Sequence, residues 1–264
     1  MPSNIVEQII AILNNTMISM RDKQSELRAV KELYGDNGQT AQLVVDFLSE
    51  YALPLSADEA LEVYSASNAA EEIYTILAEV LSRSTCSYFN AVCGEFLWMH
   101  SRKREHAEIA LRAYFDEMRV PSFDIDRFAC LVCGICRVYS RYPSCAFEFE
   151  EFFRISINYV KEHLNVDGYL PLLVLNGLWL CNVNIDAIES IFHEAITEFR
   201  RSSNYSRAIA FREDLIAHYL KQRKDSKDLR EAQAQDYEAL ADQLDWNIPS
   251  NALKIRNHIL CAMN

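Results

Sequence analysis

Glycine and proline are scarce in this chain of 264 residues, which contains only six of each. Turn-rich β-sandwiches and barrels need such residues at every connection, so the shortage argues against them and for long helices. Long hydrophobic runs are missing as well. The nearest, over 169–181, falls short of the roughly 18 apolar residues of a membrane span and is interrupted by Pro171, Asn176 and Gly177. No membrane partner is expected. Basic side chains are in deficit, 26 Lys and Arg against 38 Asp and Glu, giving a net charge of −12. A protein that neutralises phosphates needs the opposite excess on some face, which disfavours nucleic acid and anionic lipid as partners.

Chemical signatures are also lacking. The glycines at 35, 38, 94, 134, 168 and 177 never fall as Gly-x-Gly-x-x-Gly, Gly-x-Ser-x-Gly or Gly-x-x-x-x-Gly-Lys. Neither a nucleotide phosphate nor a hydrolytic serine therefore has its usual cradle. The histidines at 100, 106, 163, 193, 218 and 258 include no His-Glu-x-x-His spacing. No basic segment precedes the first apolar positions, and Glu7 and Gln8 lie among them, unlike a secretory signal. The expectation is a cytoplasmic chain whose eight cysteines are reduced, with no cofactor and with a non-enzymatic role favoured over a catalytic one.

What is present is apolar periodicity. Half the residues are hydrophobic, enough for a sizeable core. They recur at helical spacing, as in Ile5, Val6, Ile9, Ile10 and Leu13, then Leu27, Val30 and Leu33, then Leu43, Val44, Phe47, Leu48 and Tyr51. Breaks fall at Gly35 to Gly38, at Pro54, and at Ser56 with Glu59, whose spacing forms a capping box. Further helices are expected over about 68–81, 87–100, 105–118, 125–141, 147–164, 170–180, 185–200, 208–220 and 229–244, with a last one started by Pro249. The fold class is all-α. About thirteen helices joined by short connections lie antiparallel as hairpins, in a tetratricopeptide-like α-solenoid or a compact irregular bundle. Residues 1–84 carry 13 acidic and 5 basic side chains and form an acidic helical segment, and 85–264 form the regular hairpin array, the two packed as one continuous domain.

Phe89-Asn90-Ala91-Val92-Cys93-Gly94-Glu95-Phe96-Leu97-Trp98, a short basic turn, and His106-Ala107-Glu108-Ile109-Ala110-Leu111-Arg112-Ala113-Tyr114 resemble an uncharacterised all-helical domain family of bacterial proteins. The stretch over 208–240, with Tyr219-Leu220, a charged turn and Ala232, Ala234 and Ala239, is similar to the last hairpin of such domains. The resemblance covers about half the chain. It implies a tetratricopeptide-like array, often the N-terminal part of a larger bacterial protein, and implies no activity.

Cys130, Cys133 and Cys136, with Cys145 further on, have the three-residue repeat by which thiolates grip zinc or iron–sulfur clusters. Yet 128–139 reads as one helix, on which successive thiols step by roughly −60° and spread over about 120° of arc. Three side chains on such an arc converge poorly, and a nearly all-apolar helix with small residues at its narrow positions suits a central helix crossed tightly by neighbours. Phe147, Phe149, Tyr114 and Tyr205 exceed what one buried face needs and are candidates for an interaction surface. Lys221, Arg223 and Lys224 form the densest basic run and are further candidates. The function expected is a non-catalytic module that binds a protein or peptide, or a subunit of a larger assembly. The alternative is a metal- or redox-active protein using Cys130, Cys133 and Cys136.

Overall fold

A computed structural model describes residues 2–34, 70–119, 125–143, 147–165 and 169–243. Eleven helices and no strand lie among the described residues, so the chain is all-α. The helices expected over 43–51, after Ser56 and after Pro249 fall outside them, as do Cys145 and Cys261. No helix among the described residues is long and apolar enough to cross a membrane.

The chain divides into two compact units, residues 1–156 and 157–264. The first holds α1 (Pro2–Asn14), α2 (Met20–Tyr34), α3 (Ala70–Arg83), α4 (Ser87–Ser101), α5 (Arg104–Met118), α6 (Ile125–Arg141) and the start of α7 (Phe149–His163). The second holds the rest of α7, then α8 (Leu170–Leu180), α9 (Ile185–Arg201), α10 (Tyr205–Lys221) and α11 (Lys227–Gln243).

In the first unit, α1 packs on α2 and α3, and α3 packs on α4. Ile5, Val6, Ile9, Ile10 and Leu13 bury the stripe that the periodicity marks on α1. Ser19 and Asp22 cap α2 reciprocally: the Asp22 N–H donates to Ser19 Oγ at 3.2 Å, and the Ser19 N–H donates to Asp22 Oδ2 at 3.3 Å. Arg83 ties the end of α3 to Glu7 of α1 by two bonds of 2.8 and 2.7 Å.

The central packing is α4 on α5 and α5 on α6, with α4 also meeting α6. Only two residues separate α4 from α5, so the chain turns back on itself. Arg102 takes the left-handed conformation at φ 56° there, and its N–H closes the helix on the Trp98 carbonyl at 2.7 Å. Its guanidinium lies 5.1 Å from the centre of the Trp98 ring. A Cβ added to Gly94 would stand 3.1 Å from the Ala110 nitrogen and 3.1 Å from the His106 carbonyl oxygen, so α4 and α5 touch backbone to backbone. Ala107 and Ala110, both fully buried, make room for that approach.

In the second unit, α9 packs on α8 and α10, and α10 packs on α11. Ile188, Phe192, Ala195 and Phe199 of α9 face Ala208, Phe211 and Leu215 of α10, all essentially inaccessible. The Phe192 and Phe211 rings meet edge to face at 6.0 Å, and Phe199 and Phe211 at 5.1 Å. The helix expected from 208 begins at Tyr205, because Asn204 caps it by accepting from the Arg207 N–H.

Candidate functional site

The cysteine-rich helix is a packing element. Cys133 and Cys136 are buried in α6 among Leu131, Val132 and Ile135, and Cys130 is half-buried. Burial pushes the Cys133 thiol up to about 12, with Arg137 opposing. It is therefore almost wholly protonated at neutral pH, the wrong state for a nucleophile. Among the described residues no three Cys, His, Asp or Glu side chains converge as a metal site, and Cys145 lies outside them.

What α6 does contribute is Arg137, part of a buried ionic cluster at the centre of the first unit. Glu95 of α4 is wholly inaccessible. Arg137 Nε donates to Glu95 Oε1 at 2.7 Å and Nη2 donates to Oε2 at 2.9 Å, a two-pronged contact. Tyr114 of α5 donates its hydroxyl to Glu95 Oε2 at 2.5 Å. One carboxylate thus binds three helices. Burial would lower the Arg137 pKa, but the Glu95 charge and hydrogen bonds outweigh it and the net shift is upward. Burial, then the Glu95 charge, lifts the Tyr114 phenol well above its ordinary 10.0. Gly134 makes space for this: a Cβ there would stand 2.6 Å from Tyr114 Cζ. Tyr114, expected on an interaction surface, is instead a core anchor. Glu95 and Tyr114 are inaccessible, and the cluster ties the three helices together.

The phenylalanine-rich start of α7 divides between core and surface. Phe152 is fully buried and Phe149 nearly so, Phe149 stacking on Tyr139 with ring centres 4.4 Å apart. Phe149 is therefore also a packing residue. Helix α7 begins later than expected because the Glu148 carbonyl accepts from the Phe152 N–H at 3.1 Å, which makes Glu148 the cap. Phe147 falls outside the helix and is half-buried, its ring edge to face with Phe115 at 5.4 Å.

Phe147 forms one wall of a cleft of about 270 Å³, lined also by Glu108, Leu111, Arg112, Phe115, Asp116, Arg119 and Glu148. Five of these residues repeat along one face of α5 at spacings of three and four, and Arg119 continues the series just past the helix end. Arg119 lies over the Phe115 ring at 4.2 Å and donates to Glu148 at 2.8 Å and Glu151 at 2.9 Å, fixing the end of the cleft. At the other end Arg104 pairs with Glu108 at 2.7 Å. Leu111 and Phe115, both buried, underlie the cleft, and charged side chains form its rim.

The basic-run candidates lie in the second unit. Lys221 and Arg223 are exposed. Lys224 is committed, donating to Glu189 at 3.0 Å and lying 5.2 Å from the Tyr219 ring, while Tyr219 donates its hydroxyl to the same carboxylate. Tyr205 is half-buried at the start of α10. More ordered is the group around His218, which is 7% exposed and stacks on Trp179 with ring centres 4.4 Å apart. Its Nε2 lies 2.7 Å from Asn176 Oδ1, and Asn176 in turn donates to Asp214 at 2.5 Å. Since the amide oxygen only accepts, the imidazole proton sits on Nε2. Burial and Lys221 lower the His218 pKa from its ordinary 6.5, with Asp214 opposing. This neutral histidine serves packing.

No protein-family model, curated protein or solved structure matches the chain. Its function is therefore argued from its own geometry. The periodicity points past Arg112 and Arg119 because charged residues on an amphipathic helix ordinarily mark its solvated face. The signal that picks them out is the alternation of Leu111 and Phe115 with the charges on the same face.

Proposed function

We propose that this chain is a non-catalytic helical module that holds a segment of a partner protein, engaging it in the cleft beside α5 and Phe147. The reading rests on one observation: a half-buried phenylalanine walls a cleft with a charged rim. A cleft of about 270 Å³ lies below the roughly 300 to 1,000 Å³ of pockets that enclose a whole small molecule. It has room for one or two side chains of a peptide. Consecutive helices packed through short connections support a tetratricopeptide-like array, an architecture suited to extended binding surfaces. The likeness to helical domains of bacterial proteins is consistent with a cytoplasmic role as part of a larger assembly.

Selection of a displayed random-peptide library against the full chain tests the reading. The expected outcome is an enriched set whose binding is lost on Phe147→Ser, a change that leaves the helical circular dichroism intact. No enrichment, or enrichment that Phe147→Ser leaves untouched, would count against the cleft.

A further inference from the structure

The geometry points to a more specific partner: we infer that the cleft takes a segment with one carboxylate side chain next to a large apolar one, and that Arg112 is the residue that reads the carboxylate. The inference rests on the peptide-binding reading and adds the class of ligand. Arg112 is exposed, lines the cleft, and has no ion-pair or hydrogen-bond partner among the described residues. Glu108 and Asp116 stand four residues to either side of it, the spacing at which a helix ordinarily supplies a counter-ion. Both are drawn elsewhere, Glu108 to Arg104 at 2.7 Å and Asp116 towards Arg119 at 4.0 Å. Arg119 in turn is occupied by Glu148 and Glu151.

Arg112 is thus an exposed guanidinium in the cleft to which neither nearby acid is drawn, Glu108 pairing with Arg104 and Asp116 standing nearer Arg119. Its planar fork matches a carboxylate in two-pronged fashion, which a lysine would not do. Phe147, the half-buried wall of the cleft, complements an apolar neighbour on the same segment. The rim also sets an upper limit on charge. Glu108, Asp116 and Glu148 repel a second negative charge, so a single carboxylate suits the site better than a doubly charged phosphate or a run of acids.

Fluorescence anisotropy with short labelled peptides tests this on the full chain. The peptides carry a single glutamate beside a leucine and a phenylalanine, and the comparison set replaces that glutamate by glutamine, lysine or phosphoserine. Tightest binding is expected for glutamate, with glutamine weaker by about five-fold or more. Arg112→Glu is expected to reverse the order, losing the glutamate peptide and gaining the lysine one. Arg112 is exposed, so the variant keeps its fold and a loss of binding is not a loss of structure. If the glutamate, glutamine and lysine peptides bind alike and Phe147→Ser abolishes all three, the carboxylate inference is wrong and the peptide module stands. Tighter binding of the phosphoserine peptide would overturn the single-charge argument. Binding of none would overturn both readings.

Discussion

Glu95 and Arg137 show how much one buried residue decides here. Replacing Arg137 with Met leaves an inaccessible carboxylate without its counter-charge, and breaking such a pair from one side costs about 3–5 kcal/mol. Chemical denaturation of Arg137→Met should show a loss of that order, and the double variant Glu95→Gln/Arg137→Met should recover part of it, because no unpaired charge remains. A single variant as stable as the parent would remove the cluster from its central place. His218 makes a pH-dependent contribution of known sign. Its folded pKa lies below the unfolded 6.5, so between those values the unfolded chain binds a proton that the folded one refuses. Stability is fully present above 6.5 and declines as pH falls through it. An NMR titration should find the His218 imidazole changing below 6.5, and His218→Gln should flatten the thermal stability of the second unit across that range. Titration at or above 6.5 would contradict its burial against Trp179.

At the scale of elements, the close crossings are where small changes matter. Gly134→Ala pushes a Cβ into the Tyr114 ring, which cannot move without giving up Glu95. Overpacking of this kind costs about 1–3 kcal/mol. Shortening Tyr114 to Leu in the same chain should make the Ala tolerable relative to its own parent, a coupling that denaturation of the four variants measures. Trp98, 4% exposed at the end of α4, should cost roughly 3 kcal/mol or more when cut to Ala. Most helices among the described residues were legible in the sequence, since 3.6-residue periodicity reflects burial directly, but the cap at Asn204, which starts α10 at Tyr205 rather than 208, was not. Less legible was what each polar residue on a helix does. Glu95 and Tyr114 sit in an ordinary-looking segment, and only the crossing of three helices turns them into a buried pair. Phe147 and Phe149 are near neighbours in one aromatic run, yet the cap at Glu148 leaves Phe147 in the cleft and sends Phe149 into the core.

For the whole molecule, the distribution of chemistry argues for a role at the surface. Among the described residues, the Glu95 carboxylate is satisfied by Arg137 and Tyr114, and the Cys133 thiol is held in an unreactive state by burial. The net charge of −12 discourages polyanionic partners, yet Arg112 on α5 stands in the cleft without an ion-pair partner among the described residues. The proposed binding cleft lies on the surface of the first unit. The most direct measurement is hydrogen–deuterium exchange of the full chain with and without a saturating peptide chosen from the library. Slowed exchange concentrated in α5 and the start of α7 is expected. Slowed exchange confined to the second unit, or none despite saturation, would contradict the placement of the binding site.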